Sequence, residues 1–236
     1  VKKIKIILGL IYFVILSSFL ILLFSKFSLQ EITSYDFIKN NRDYFFNLKD
    51  SNLVLLSLFF VLGSILWVFL LGFGSPLALI AGFIFGKWLG ISLLIVGMSF
   101  GATLLYIFGN YFLKDLIKEK FSKKFKVLEN KFKKSEFIYL LIYRFIGGIP
   151  WQLSCLLPTL FNVKVINFFF ATLIGIIPQI FLAVSIGSGL EKIIDQNAEV
   201  PGITDIIFSP DIYVPITAFF ILILITIFLR KFFYRN

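Results

Sequence analysis

The sequence predicts an all-α, multi-pass membrane protein with about four full spans, an interfacial segment and two opposed re-entrant hairpins in an inverted repeat. Three observations carry that expectation. Of 236 residues, 59% are hydrophobic and only 15% charged, whereas a soluble globule runs near half apolar and about a quarter charged. Long apolar runs recur along the chain. The surplus of 23 Lys+Arg over 13 Asp+Glu, a net +10, falls in blocks between those runs. There is no His and a single Cys, Cys155. That removes imidazole acid–base chemistry, Cys/His metal clusters and an intramolecular disulfide, so neither cofactor nor metal is expected.

Ile4–Phe24 holds 21 residues with Lys5 as their one charge, enough at about 1.5 Å per residue to cross a hydrocarbon core of about 30 Å. Lys2, Lys3 and Lys5 surround its start, and Phe24-Ser25-Lys26-Phe27 offers no small-x-small cleavage site. A retained span is expected rather than a signal peptide. With the polar, aromatic stretch that follows, where Tyr35, Phe37, Tyr44 and Phe45 suit a bilayer interface, it forms an N-terminal region, 1–52.

The core is 53–190. Between Leu53 and Leu113 only Lys87 is charged, and the run divides into a hairpin, 53–86, and a span, 90–113. The limb from Pro76 to Gly86 has 11 residues, too few to cross. A basic loop, 114–136, carries nine lysines against four acids. A second hairpin, 137–163, is interrupted by Arg144, Gly147, Gly148, Pro150 and Pro158. A span at 165–190 follows, broken only by Pro178. The remainder, 191–236, is an acidic loop, a last span at 212–229 and a tail bearing Arg230, Lys231 and Arg235.

Charge then sets topology. Basic loops stay cytoplasmic, which puts both termini and the lysine-rich loop inside and the acidic 191–211 loop outside. An even number of crossings must separate the N-terminus from residue 114, and spans 4–24 and 90–113 already supply two. The segment 53–86 must therefore turn back, and the same parity makes 137–163 return to its own side. Irregular backbone at membrane depth survives only when buried in protein or lining a wet cavity. The turns have suitable residues: Gly72, Gly74, Gly147 and Gly148 permit unusual dihedrals, and Pro76 and Pro150 interrupt helix. Aligning Pro76 with Pro150 sets Gly101 opposite Gly175, each 25 residues downstream. Inverted repeats with broken helices build the substrate site of many transporters.

The run Ser75-Pro76-x5-Gly82-Phe83-Ile84-Phe85-Gly86-x3-Gly90 resembles the signature of the DedA/VTT-domain superfamily, also called SNARE-associated Golgi protein-like. Arg144-x5-Pro150-Trp151, then Phe168/Phe169, Thr172, Gly175 and Pro178, resembles that family's second motif, and Gly187-Ser188-Gly189-Leu190 also fits. The match covers roughly 53–190. The resemblance implies a multi-pass protein with opposed re-entrant loops, implicated in lipid scrambling or in flipping polyprenyl-phosphate carriers and in envelope homeostasis. The chain departs from the pattern at Gly147, Asn110 and Cys155, and no Asp or Glu lies between Ser51 and Lys114. Proton coupling through first-half carboxylates is thus not expected, and the chain sits nearer the VTT-type branch.

Arg144 is the sharpest candidate for substrate contact. A charge in an apolar hairpin costs about 2.5–3.5 kcal/mol on insertion scales and usually marks a pathway. Guanidinium pairs bidentately with phosphate; the competing role is snorkelling to the interface. Gln152, Ser154 and Ser75 are the further substrate candidates, with Thr172 and Gln179 as supporting polar groups. Cys155 is expected to be a small packing residue, and Trp67, Trp88 and Trp151 interface or packing anchors. The basic loop suits anionic lipid, at about 1 kcal/mol per charge, rather than nucleic acid. The function expected is a non-enzymatic transporter or scramblase of a phosphate-bearing lipid in the plasma or inner membrane. A small-solute or ion carrier and a non-transporting scaffold are the alternatives. Oligomeric state is left open by the sequence.

Overall fold

In the computed structural model, residues 2–26, 44–146 and 149–196 are described, with isolated positions beyond 207. Every regular element among them is helical. The order is α1 (Lys2–Lys26), α2 (Tyr44–Ser51), α3 (Leu53–Phe69), α4 (Gly74–Lys134), α5 (Glu136–Ile146), α6 (Trp151–Leu156), a 3₁₀ turn (Leu157–Phe161), α7 (Val165–Gly175) and α8 (Ile177–Gln196). Most of the expected interfacial stretch, Gly147, Gly148 and nearly all of the last span at 212–229 lie outside the described residues.

The distribution of side chains is that of a membrane protein. Leu10, Phe13, Val54, Phe59 and Leu66 are all more than half exposed, while Ser64, Ser99, Thr103, Ser154 and Thr172 are buried. A water-soluble chain rarely exposes contiguous apolar surface on this scale. In lipid, polar groups turn inward to find partners.

Among the described residues, the run Gly74–Phe112 alone is long and apolar enough by length and composition to cross a membrane; up to three spans result if each bent helix pair counts as one. A rod of 39 residues would be about 58 Å long, nearly twice a hydrocarbon core. It is not a rod. Gly86 has φ 74° and ψ −178°, a region open essentially to glycine alone. A Cβ at Gly90 would sit 2.6 Å from the carbonyl oxygen of Ala81, although nine residues of straight helix separate atoms by about 13 Å. The chain therefore doubles back at Gly86, and the limb 74–85 is too short to span.

Elsewhere the breaks follow the sequence, with exceptions. Helices α2 and α3 meet at 115°, with Asn52 accepting from the Leu55 amide as N-cap. Pro178 stands in the first turn of α8, and helix is lost at Ile176 just before it; a proline cannot continue the ladder and crowds the carbonyl four residues back. The span expected at 165–190 is thus two helices, the second running on to Gln196. The stretch expected as a basic loop, 114–136, is instead almost wholly a continuation of α4, because it holds neither Gly nor Pro to stop it. The turn after α3 is also not made as expected. The left-handed residue is Leu71, at φ 63°, and neither Gly72 nor Gly74 has positive φ. Gly72 instead makes room for the indole of Trp67, whose N–H reaches the Phe73 carbonyl at 2.8 Å.

The chain forms two compact units, Val1–Gly74 with Val96–Gly175, and Ser75–Ile95 with Ile176–Asn236. In the second, the limb ending at Gly86 meets α8 backbone to backbone. A Cβ at Gly82 would fall on the Val184 carbonyl, and one at Gly187 on the Leu79 carbonyl. In the first unit two glycines do matching work. A Cβ at Gly101 would lie 2.8 Å from both Ile65 O and Val68 Cβ; one at Gly175 would lie 3.1 Å from Leu141 O and 2.6 Å from Arg144 Cβ. Each glycine seats the preceding helix on the same pair of atoms, a carbonyl and the Cβ three residues on.

Candidate functional site

Arg144 lies in the last turn of α5, a helix with a pronounced apolar face. Two contacts place that helix. Gly175 lets α7 approach to the Cβ of Arg144. At the other end, the Glu136 carboxylate accepts from the Lys164 amide at 3.2 Å and from Asn167 Nδ2 at 2.9 Å. That single side chain ties the start of α5 to the start of α7 and caps α7, where an acid is favoured by the unpaired amides and the helix dipole.

Between these two anchors the guanidinium is turned inward, and Arg144 is 3% exposed. It is the one fully buried charged side chain among the described residues, which sets aside the snorkelling alternative. Nη1 donates to Ser154 Oγ at 2.5 Å, Nε to Thr172 Oγ1 at 3.2 Å and Nη2 to Cys155 Sγ at 3.5 Å. Ser154 in turn donates to the Trp151 carbonyl at 2.7 Å. Cζ stands 4.8 Å from the ring centroid of Trp151, 5.1 Å from Phe168 and 5.9 Å from Tyr143. Arginine over aromatic faces gains up to about 2 kcal/mol when desolvated. Phe168 stacks on Tyr106 at 4.5 Å, whose hydroxyl donates to the Val163 carbonyl at 2.6 Å.

The second hairpin is built around this residue. Pro150 is the N-cap of α6, which is followed by the 3₁₀ turn and by Asn162 in the left-handed region at φ 50°. The short α6 thus presents Trp151, Ser154 and Cys155 to one side chain. Gln152, on the same helix, points elsewhere: its Nε2 donates to the Leu71 carbonyl at 2.9 Å, bracing the turn after α3. Ser75 is exposed in the first turn of α4 and belongs to the second unit, as do Pro76, Gly82 and Gly86.

Of the expected substrate candidates, the structure brings Arg144 and Ser154 together, with Thr172 as a third member. Cys155 is more than filler, since its sulfur accepts from the guanidinium. Trp151 takes the packing role among those expected of it, with its ring against the guanidinium. Tyr143 was not singled out in the sequence, and Phe168 entered there only through the resemblance, not as a site residue. The signal that finds them is their position, one residue before Arg144 and four before Thr172.

This set of groups places a fixed cation among aromatic rings, two hydroxyls and a thiol. It can hold an anion. Comparison with known proteins places it in context. The VTT domain family matches residues 71–189. A Dictyostelium discoideum protein named Transmembrane protein 41 homolog is 28% identical over 138 residues, 55% of this chain and 41% of that protein. Its Caenorhabditis elegans namesake is 26% identical over 137 residues, 55% of each. A Bacillus subtilis (strain 168) protein named Uncharacterized protein YqeD is 33% identical over 118 residues, 48% of this chain and 57% of that one. The chain thus aligns with about half the length of these relatives. No solved structure matches it.

Proposed function

Because the chain belongs to the VTT domain family of membrane proteins, and because its buried guanidinium is held ready for an anion, we propose that it moves a phosphate-bearing lipid across the bilayer. The carrying observation is Arg144: a permanent charge, 3% exposed, oriented by Ser154, Thr172 and Cys155 and walled by aromatic rings. A guanidinium so oriented gives up little freedom when it binds a phosphate bidentately, and a water-poor wall strengthens that pairing. The substrate class is a phospholipid or a polyprenyl-phosphate carrier, and the process is transport, with no bond made or broken.

Two re-entrant hairpins of opposite orientation, 53–86 and 137–163, form an inverted repeat in this reading. Support comes from the matching seats at Gly101 and Gly175, and from positive-φ breaks at Gly86 and Asn162 shortly after Pro76 and Pro150. Both termini and the basic end of α4 face the cytoplasm of a bacterial-type cell membrane, by the positive-inside rule. Anionic lipid, rather than nucleic acid, is the partner of the lysines.

The test is reconstitution into liposomes carrying a labelled phosphatidylglycerol or polyprenyl phosphate, comparing wild type with Arg144→Ala. Translocation by wild type and its loss in the variant is the expected result. A wild type that moves neither lipid removes this reading. Sidedness has a separate test, cysteine labelling in a Cys155→Ser background that keeps an acceptor for Arg144. Labelling near residue 120 from outside refutes the topology.

A further inference from the structure

Two buried polar atoms beside Arg144 are left over by the contacts described above. The indole Nε1 of Trp151 and the phenol oxygen of Tyr143 are both sealed from the surface and lack a hydrogen-bond partner among the described residues. Their rings flank the guanidinium, with centroids 4.8 Å and 5.9 Å from Cζ. An indole N–H only donates. What Trp151 lacks is therefore an acceptor, and no bond rotation lets the ring satisfy itself.

Other orphaned groups do not carry the same weight. The hydroxyls of Ser99 and Ser185 are also unpartnered, but both sit within helices. A turn about χ1 brings such a hydroxyl to the carbonyl four residues back, as Ser64, Ser92 and Thr103 already do. Trp151 has no such recourse. A buried donor without an acceptor costs about 1–3 kcal/mol, and here two unmet groups adjoin a permanent cation. Their chemical complement is an oxyanion with several acceptor atoms.

We infer that the Trp151 indole N–H and the Tyr143 hydroxyl are anion-binding donors that complete, with Arg144, a cradle for a phosphate oxyanion. This rests on the reading that Arg144 holds a phosphate headgroup, and it names that group's remaining contacts. The division of labour is geometric. Ser154 and Thr172 fix the guanidinium by its hydroxyl contacts, while Trp151 and Tyr143 cover it with their rings and supply their polar edges to the ligand. Trp151 is half-buried where Arg144 is buried, so the indole covers the guanidinium.

The full chain labelled with ¹⁵N-tryptophan tests this directly. It has three tryptophans, and Trp151→Phe identifies the relevant indole signal. Dihexanoyl phosphatidic acid is expected to move that signal downfield. Dihexanoylglycerol, with the same chains and no phosphate, leaves it in place, and inorganic phosphate moves it only weakly. The Trp67 signal, whose N–H is held by the Phe73 carbonyl, stays fixed throughout. In liposomes, Tyr143→Phe keeps its ring and Trp151→Phe keeps an aromatic face, and each slows lipid translocation about tenfold, the loss of one hydrogen bond to a charged group. An indole signal unmoved by both phosphates, or both variants at wild-type rate while Arg144→Lys is slow, overturns the cradle and spares the lipid reading. An indole that answers phosphate in a protein that moves no lipid does the reverse. A response to inorganic phosphate as strong as to phosphatidic acid overturns the lipid as the source of the anion.

Discussion

Gly175 is the seat of Arg144. A methyl group at position 175 would lie 2.6 Å from the Arg144 Cβ and 3.1 Å from the Leu141 carbonyl, so α7 reaches the charged residue only because it carries no side chain there. Gly175→Ala is expected to destabilise the protein by about 1–3 kcal/mol, as overpacking of a close contact does, and to displace the guanidinium from Thr172. Gly101→Ala provides the control. It crowds Val68 in the same way and should cost a similar amount of stability. Unfolding midpoints in detergent, read beside translocation per folded molecule, separate the two. Both variants should melt earlier, and Gly175→Ala should lose the larger share of specific activity.

Arg144 itself should prove dispensable for folding. Removing a buried charge recovers its desolvation penalty, which offsets the contacts that Ser154, Thr172 and Cys155 lose. Arg144→Met is accordingly expected to leave the unfolding midpoint unchanged or higher while removing lipid movement. A variant that fails to fold would make Arg144 a structural residue and the surrounding rings merely its packing. Arg144→Lys should fold, keep the charge and still be slow, because an ammonium cannot make the planar bidentate pair.

What the sequence shows, and what it hides, follows from which force sets each feature. The fold-back at Gly86 was legible because an 11-residue limb cannot span and Gly86 stood at its end. The site around Arg144 was legible because a charge in an apolar segment is rare. Leu71 was not, since a leucine gives no sign of positive φ and its contacts, Gln152 on its carbonyl and Trp67 on that of Phe73, come from outside the turn. The helical course of 114–134 was hidden by charge, which marks exposure to water and says little about backbone. Trp151 carried an ordinary membrane-protein explanation, and only its distance from Cζ separates it from Trp88, which is 74% exposed.

Gly82 and Gly187 are expected to be coupled. Each removes a Cβ from the contact between the short limb and α8, and each would otherwise strike a backbone carbonyl, which cannot swing aside as a side chain does. Gly82→Ala and Gly187→Ala should each cost about 2 kcal/mol. The double variant should cost less than their sum by about 0.5–3 kcal/mol, because helices already forced apart have room for the second methyl. A double-mutant cycle from unfolding in mixed micelles measures this. Strict additivity would mean the two glycines serve separate contacts.

Gly86 should behave unlike any of these glycines. A Cβ there would meet nothing within 4 Å, yet the backbone holds φ at 74° with an extended ψ. The cost of substitution is therefore conformational, about 1–3 kcal/mol, and it is incurred as soon as any Cβ is present. Gly86→Ala, Gly86→Ser and Gly86→Leu should lower the unfolding midpoint by nearly the same amount. At Gly175, by contrast, the loss should climb steeply from Ala to Leu, because each added atom pushes further into α5. Measuring both series in one detergent distinguishes strain from crowding. A loss that grows with side-chain size at 86 would make that position a packing contact, and the doubling back of the chain would need another cause.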